Sequence, residues 1–83
     1  MKVEVRLFAT LTRFLPPGAR DGAAILELPD GSTLADLVRT LKVPGTADHI
    51  ALVNGVDAGG DRALHPGDAV TLFPPLAGGA RPG

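Results

Sequence analysis

Eighty-three residues suffice for one small domain with a modest core, about one helix packed on one sheet. Apolar residues make up 45% of the chain, and eight basic residues nearly balance nine acidic ones, which marks a folding sequence and leaves no basic block for a nucleic-acid surface. The chain has no cysteine, Tyr or Trp and only three Phe, so disulfides, thiol nucleophiles, thiolate metal sites and base-stacking platforms are all excluded.

The opening Lys2 to Phe8 alternates charged and apolar residues, which predicts a strand with Val3, Val5 and Leu7 facing a core. That alternation is unlike the charged-then-apolar layout of an export signal, and no apolar run approaches membrane-spanning length. A cytoplasmic protein with no membrane partner is the expectation. Thr10 to Leu15 reads as one helical turn, ended by Pro16-Pro17-Gly18. Ala24 to Leu28 reads as a second strand, followed by turn chemistry at Pro29-Asp30-Gly31. Thr33 can cap a helix, and Asp36 suits the positive end of its dipole. Leu34, Leu37, Val38 and Leu41 then form a single apolar stripe, and Pro44-Gly45 is the expected stop.

Ile50 to Val53 reads as a third strand, leading into Asn54-Gly55, a pair suited to a tight hairpin with positive φ at both positions. Val56 begins a short return strand, and Ala58 to Arg62 is loop. Leu64 to Asp68 is a turn, and Ala69 to Phe73 is the last strand. Pro74-Pro75 cannot continue a ladder. The division is therefore a domain over residues 1–75 and a C-terminal tail over residues 76–83, expected to be extended and mobile.

Strand, strand, helix, strand, short strand, strand is the order of an α+β, ubiquitin-like β-grasp domain. Its mixed sheet has four to five strands, the first and last side by side at the centre, with one main helix on one face. In the last strand Val70 and Leu72 face inward, so alternation turns Phe73 outward; Phe8 falls on the same outward register. Beside Leu76, Phe73 forms a candidate docking patch, which Phe8 either joins or flanks as cover for a sheet edge. His49 and His65 are isolated and read as loop residues rather than metal ligands, and Asp57, Asp61 and Asp68 read as turn residues. Gly59-Gly60 needs only a turn reading, and the arginines at 6, 13, 39 and 62 read as solvated.

Phe73-Pro74-Pro75-Leu76-Ala77-Gly78-Gly79 resembles the C-terminus of the MoaD/ThiS family of ubiquitin-like sulfur carriers, the MoaD branch more closely. The opening Val3 to Ala9, the helix start Thr33 to Leu37, the hairpin Leu52-Val53-Asn54-Gly55 and Gly67-Asp68 match too, so the resemblance covers residues 1–79. It implies a carrier rather than an enzyme. A MoeB-like enzyme, holding ATP and Mg, adenylates the Gly79 carboxylate, and a sulfur donor converts it to a thiocarboxylate. The acceptor is a MoaE-like synthase subunit, in molybdopterin or related cofactor synthesis. Gly78 and Gly79 carry the chemistry; Phe73, Pro74, Pro75, Leu76, Ala77 and Phe8 meet the partner. This chain itself binds no cofactor and no metal. Glycine suits the tail because a backbone without Cβ can enter a narrow channel. The prolines keep the approach extended.

Ala80-Arg81-Pro82-Gly83 follow the diglycine, whereas the family's diglycine is normally terminal. Three routes stand open: a processing peptidase removes residues 80–83, Gly83 is itself activated, or the protein is a non-reacting binding module that keeps its tail. Trimming is adopted here, because the diglycine pattern otherwise has no purpose. A ubiquitin-like modifier conjugated to lysines is the other alternative.

Overall fold

The computed structural model describes residues 1–43 and 49–75. Its elements are β1 (Lys2–Leu7), a 3-10 helix (Ala9–Phe14), β2 (Ala23–Glu27), α1 (Leu34–Thr40), β3 (Ile50–Val53), β4 (Val56–Asp57) and β5 (Ala69–Phe73). The strands form one five-stranded sheet in the order β2-β1-β5-β3-β4. β1 and β5 run parallel and adjacent, with Val5 opposite Val70 and Leu7 opposite Leu72; the β1–β2, β5–β3 and β3–β4 pairs are antiparallel. The expected α+β architecture is present, with β1, β5 and β3 inside the sheet and β2 and the two-residue β4 at its edges.

Alternation places the core. Val3, Val5 and Leu7 of β1, Ala51 and Val53 of β3, and Val70 and Leu72 of β5 are buried on one face, against Leu34, Leu37 and Leu41 of the helix segment. Leu11 of the 3-10 helix, Leu28 and Leu64 close the ends of this cluster.

A capping box starts α1: the Thr33 side chain accepts a hydrogen bond from the Asp36 N–H at 3.3 Å, and the Asp36 carboxylate accepts from the Thr33 N–H at 3.0 Å. The helix ends before the expected Pro44-Gly45 stop, which lies outside the described residues. Leu41 is the last helical cap, and Lys42 takes a left-handed φ of 63°. The Lys42 N–H then donates to the Arg39 carbonyl and the Val43 N–H to the Val38 carbonyl, so a Schellman turn terminates the helix.

Two further boundaries move by one residue. The helical turn expected over Thr10 to Leu15 spans Ala9–Phe14, because Pro16 forces Leu15 into extended backbone, with ψ 139°. The second strand spans Ala23–Glu27 rather than Ala24 to Leu28, since Ala23 and Arg20 exchange backbone hydrogen bonds that close the hairpin one residue earlier. Asp57, expected in a turn, lies in β4 opposite Leu52.

Candidate functional site

The sheet face away from α1 carries the outward residues of every strand. At the end where the chain leaves β5 they form an apolar row. Phe73 lies opposite Ile50 of β3, and the Phe8 N–H donates to the Leu72 carbonyl at 3.1 Å, which sets Phe8 beside Phe73 on the other flank. Phe8 is 49% exposed and Ile50 36%, while Phe73 between them is half-buried. One step back, Leu52 and Thr71 are opposite each other and Arg6 flanks Thr71. The apolar row is therefore bordered on the β1 side by the Arg6–Glu4 ion pair, at 3.4 Å. Three exposed or half-exposed apolar side chains, on β3, on β5 and just past the end of β1, make a surface that gains by being covered.

Pro74 is half-buried and Pro75 exposed directly after this row, so the polypeptide departs from the patch itself. Leu76, Ala77, Gly78 and Gly79 lie outside the described residues. The structure thus brings together Phe8, Phe73, Pro74 and Pro75 as the sequence placed them, and adds Ile50 and Leu52. The signal for that pair was present: Ala51 and Val53 face inward, so Ile50 and Leu52 must face out by the same two-residue period.

A polar latch holds these strands in register. Asn54 and Ala69 continue the β3–β5 ladder; the Asn54 N–H donates to the Ala69 carbonyl at 2.7 Å. The return bond, from the Ala69 N–H at 3.0 Å, goes to the Asn54 side-chain oxygen instead of its backbone carbonyl. The other end of that amide donates to Asp68 Oδ1 at 3.0 Å, while Asp68 Oδ2 accepts the His65 N–H at 2.8 Å. Asp68 is buried, and its carboxyl is held below the usual value of 3.8 mainly by the His65 N–H and further by the Asn54 amide, against the opposing effect of burial. The Asp68 carbonyl accepts from the Glu4 N–H and the Lys2 carbonyl from the Gly67 N–H, so the same turn also ties β5 to β1. Reading Asp68 as a turn residue was right in kind. Its pairing with Asn54 was invisible in one dimension, because the tertiary fold alone brings two distant turns together.

Neither histidine stands in a metal cluster: no group of three or more candidate ligands occurs among the described residues. No described helix is long and apolar enough to cross a membrane.

Comparisons with known proteins agree with this fold. A family model, Mut7-C ubiquitin, matches residues 1–78. The small archaeal modifier protein 1 of Haloferax volcanii superposes with a TM-score of 0.72 at 28% identity, over 90% of this chain and 98% of that one. A Pyrococcus furiosus protein assigned as molybdopterin converting factor subunit 1 gives 0.70 at 28% identity, with the same coverage of 90% and 98%. A complex of subunits 1 and 2 of the Helicobacter pylori molybdopterin-converting factor contains a chain matching at 0.63 and 20% identity, over 94% and 99%, a likeness of fold alone. No curated protein sequence is significantly similar. The chain belongs to the Mut7-C ubiquitin family and is a MoaD/ThiS-like, ubiquitin-like protein of the β-grasp fold.

Proposed function

We propose that the protein is a sulfur carrier of the MoaD type, a substrate of other enzymes rather than a catalyst. The observation that carries this reading is the position of the apolar row Phe8–Phe73–Ile50 at the point where the chain leaves the sheet toward Gly78-Gly79. A partner that covers the row receives the tail at the same time. The Gly79 carboxylate, freed by a peptidase that removes residues 80–83, attacks the α-phosphate of ATP held with Mg by a MoeB-like enzyme, and pyrophosphate leaves. A sulfide nucleophile then displaces AMP and leaves a thiocarboxylate; a persulfide donor instead forms an acyl disulfide, from which a second thiol takes the donor's sulfur as a disulfide and releases the thiocarboxylate. Adenylation is needed because a free carboxylate is a poor electrophile and the mixed anhydride is a good one. The Helicobacter pylori complex supports a second protein subunit as the acceptor's type. The cytoplasm, where ATP and a reducing sulfur supply coexist, suits this chemistry.

The test is reconstitution. A chain ending at Gly79, incubated with an adenylating enzyme, ATP and a sulfur donor, should gain the mass of one oxygen-to-sulfur exchange at its last residue, and a chain ending at Gly78 should show the fold but a greatly reduced exchange. Equal exchange in both sinks the role of Gly79. Persistence of the full-length mass in the native protein sinks the trimming step. A second reading, a modifier joined to lysines, is favoured by the likeness to the Haloferax volcanii modifier protein. Adducts to other proteins that survive a denaturing gel and are cleaved at an isopeptide bond would decide for it.

A further inference from the structure

The β3–β4 turn holds a chemically labile pair. Asn54 is followed by Gly55, and the sequence contains no other asparagine and no glutamine. In an Asn-Gly pair the glycine nitrogen can reach the asparagine side-chain carbon because no side chain obstructs ring closure. The nitrogen gives up its proton and bonds to Cγ; the Cγ–Nδ2 bond breaks and ammonia leaves, forming a succinimide. Water then adds to one of the two ring carbonyls and opens the ring, giving aspartate or its β-linked isomer. No oxidant, reductant or enzyme is required.

Here the fold restrains the reaction. Both ends of the Asn54 amide are engaged, Nδ2 by Asp68 at 3.0 Å and Oδ1 by the Ala69 N–H at 3.0 Å. The backbone is held at φ 53° with its N–H bonded to Ala69. All three bonds lead to the start of β5, so the side chain is free to turn on Gly55 only after the hairpin has opened locally. The product has the opposite effect. A carboxylate at position 54 would stand at hydrogen-bond distance from Asp68 Oδ1, where a donor stood before, and two carboxylates so close repel, the buried Asp68 having no other donor among the described residues to replace the amide on Oδ1. The β-linked isomer would also insert an additional backbone atom into the turn that sets β3 against β5.

We infer that Asn54 is a spontaneous deamidation site gated by opening of the β3–β4 turn, and that its product releases the latch that keeps β3 in register with β5. Because Ile50 and Phe73 are cross-strand partners in that register, the modified protein presents a disordered docking row.

Intact-mass measurement of the full chain follows the reaction without ambiguity, since only one residue can contribute. In mildly alkaline buffer the folded chain should deamidate at least about tenfold more slowly than the same chain in concentrated urea. Equal rates overturn the gating. Asn54→Asp, which imitates the unbranched product, should lower Tm by roughly 5–10 °C. Adding Asp68→Asn to that variant restores a donor opposite the new carboxylate and should recover most of the loss. An Asn54→Asp chain as stable as the parent, or a double variant no better than the single one, overturns the latch. If Asn54→Asp does not fold alone, recovery of a folded far-UV spectrum in the double variant gives the same answer, and failure to recover gives the opposite one.

Discussion

Asp68 is the residue on which three strands converge. Its carboxylate accepts from the His65 N–H and the Asn54 amide, its carbonyl takes the Glu4 N–H, and Arg62 and His65 add favourable charge around it. Bonds to an ionised acceptor are stronger than neutral ones, so Asp68→Ala should cost about 2–3 kcal/mol, read from urea unfolding. The pH dependence has a definite sign. The folded carboxyl of Asp68 titrates below its ordinary 3.8, so its contribution is fully present above that value and is lost as pH falls through the lower folded pKa. Asp36 shifts in the same direction, chiefly through the Thr33 N–H. The urea midpoint should hence be flat in this respect above about pH 5 and fall below about pH 4, with a shallower fall in Asp68→Asn. A midpoint that rises on acidification in that window contradicts the ionised latch.

At the scale of elements, α1 cannot stand alone. Seven residues are too few for an isolated helix in water, so its stability comes from its caps and from Leu34 and Leu37 against the sheet. Thr33→Ala removes the reciprocal cap and should cost about 1 kcal/mol. At the other end the chain carries Lys where the Schellman turn favours Gly, because Lys42 at φ 63° has a Cβ crowding the backbone. Lys42→Gly should therefore stabilise the domain by about 0.5–1 kcal/mol, the relief exceeding the added freedom of the unfolded chain. Thermal unfolding of the two variants checks both signs; destabilisation by Lys42→Gly would show that the lysine side chain makes a contact worth more than the backbone strain.

At the scale of the whole molecule, the sheet separates two duties between its faces. One is sealed by α1: Leu72 is fully buried at the centre, and Leu72→Ala should cost about 2–5 kcal/mol, which a domain of this size tolerates poorly. The other face is left open, with its apolar row beside the point where the chain leaves β5. Phe8→Asp on that row should change stability by no more than about 1 kcal/mol, since Phe8 is half exposed, yet weaken capture by an adenylating enzyme at least about tenfold. Calorimetric titration with that enzyme reads the second effect and thermal unfolding the first. Loss of both together would place Phe8 in the core rather than at an interface.

Local chemistry alone was enough to locate every strand and the helix, because each depends on near neighbours: the two-residue period of Val3, Val5 and Leu7, the Thr33–Asp36 cap, the Asn54-Gly55 turn. It also turned Phe8 and Phe73 outward. What it could not decide is anything set by contacts between distant segments. That Ile50 completes the row beside Phe73 and that Asp68 is buried against Asn54 both depend on where the packed sheet brings the chain back on itself. Periodicity assigns a side chain to a face, but only the closed core decides which strands lie side by side and therefore which side chains on that face touch.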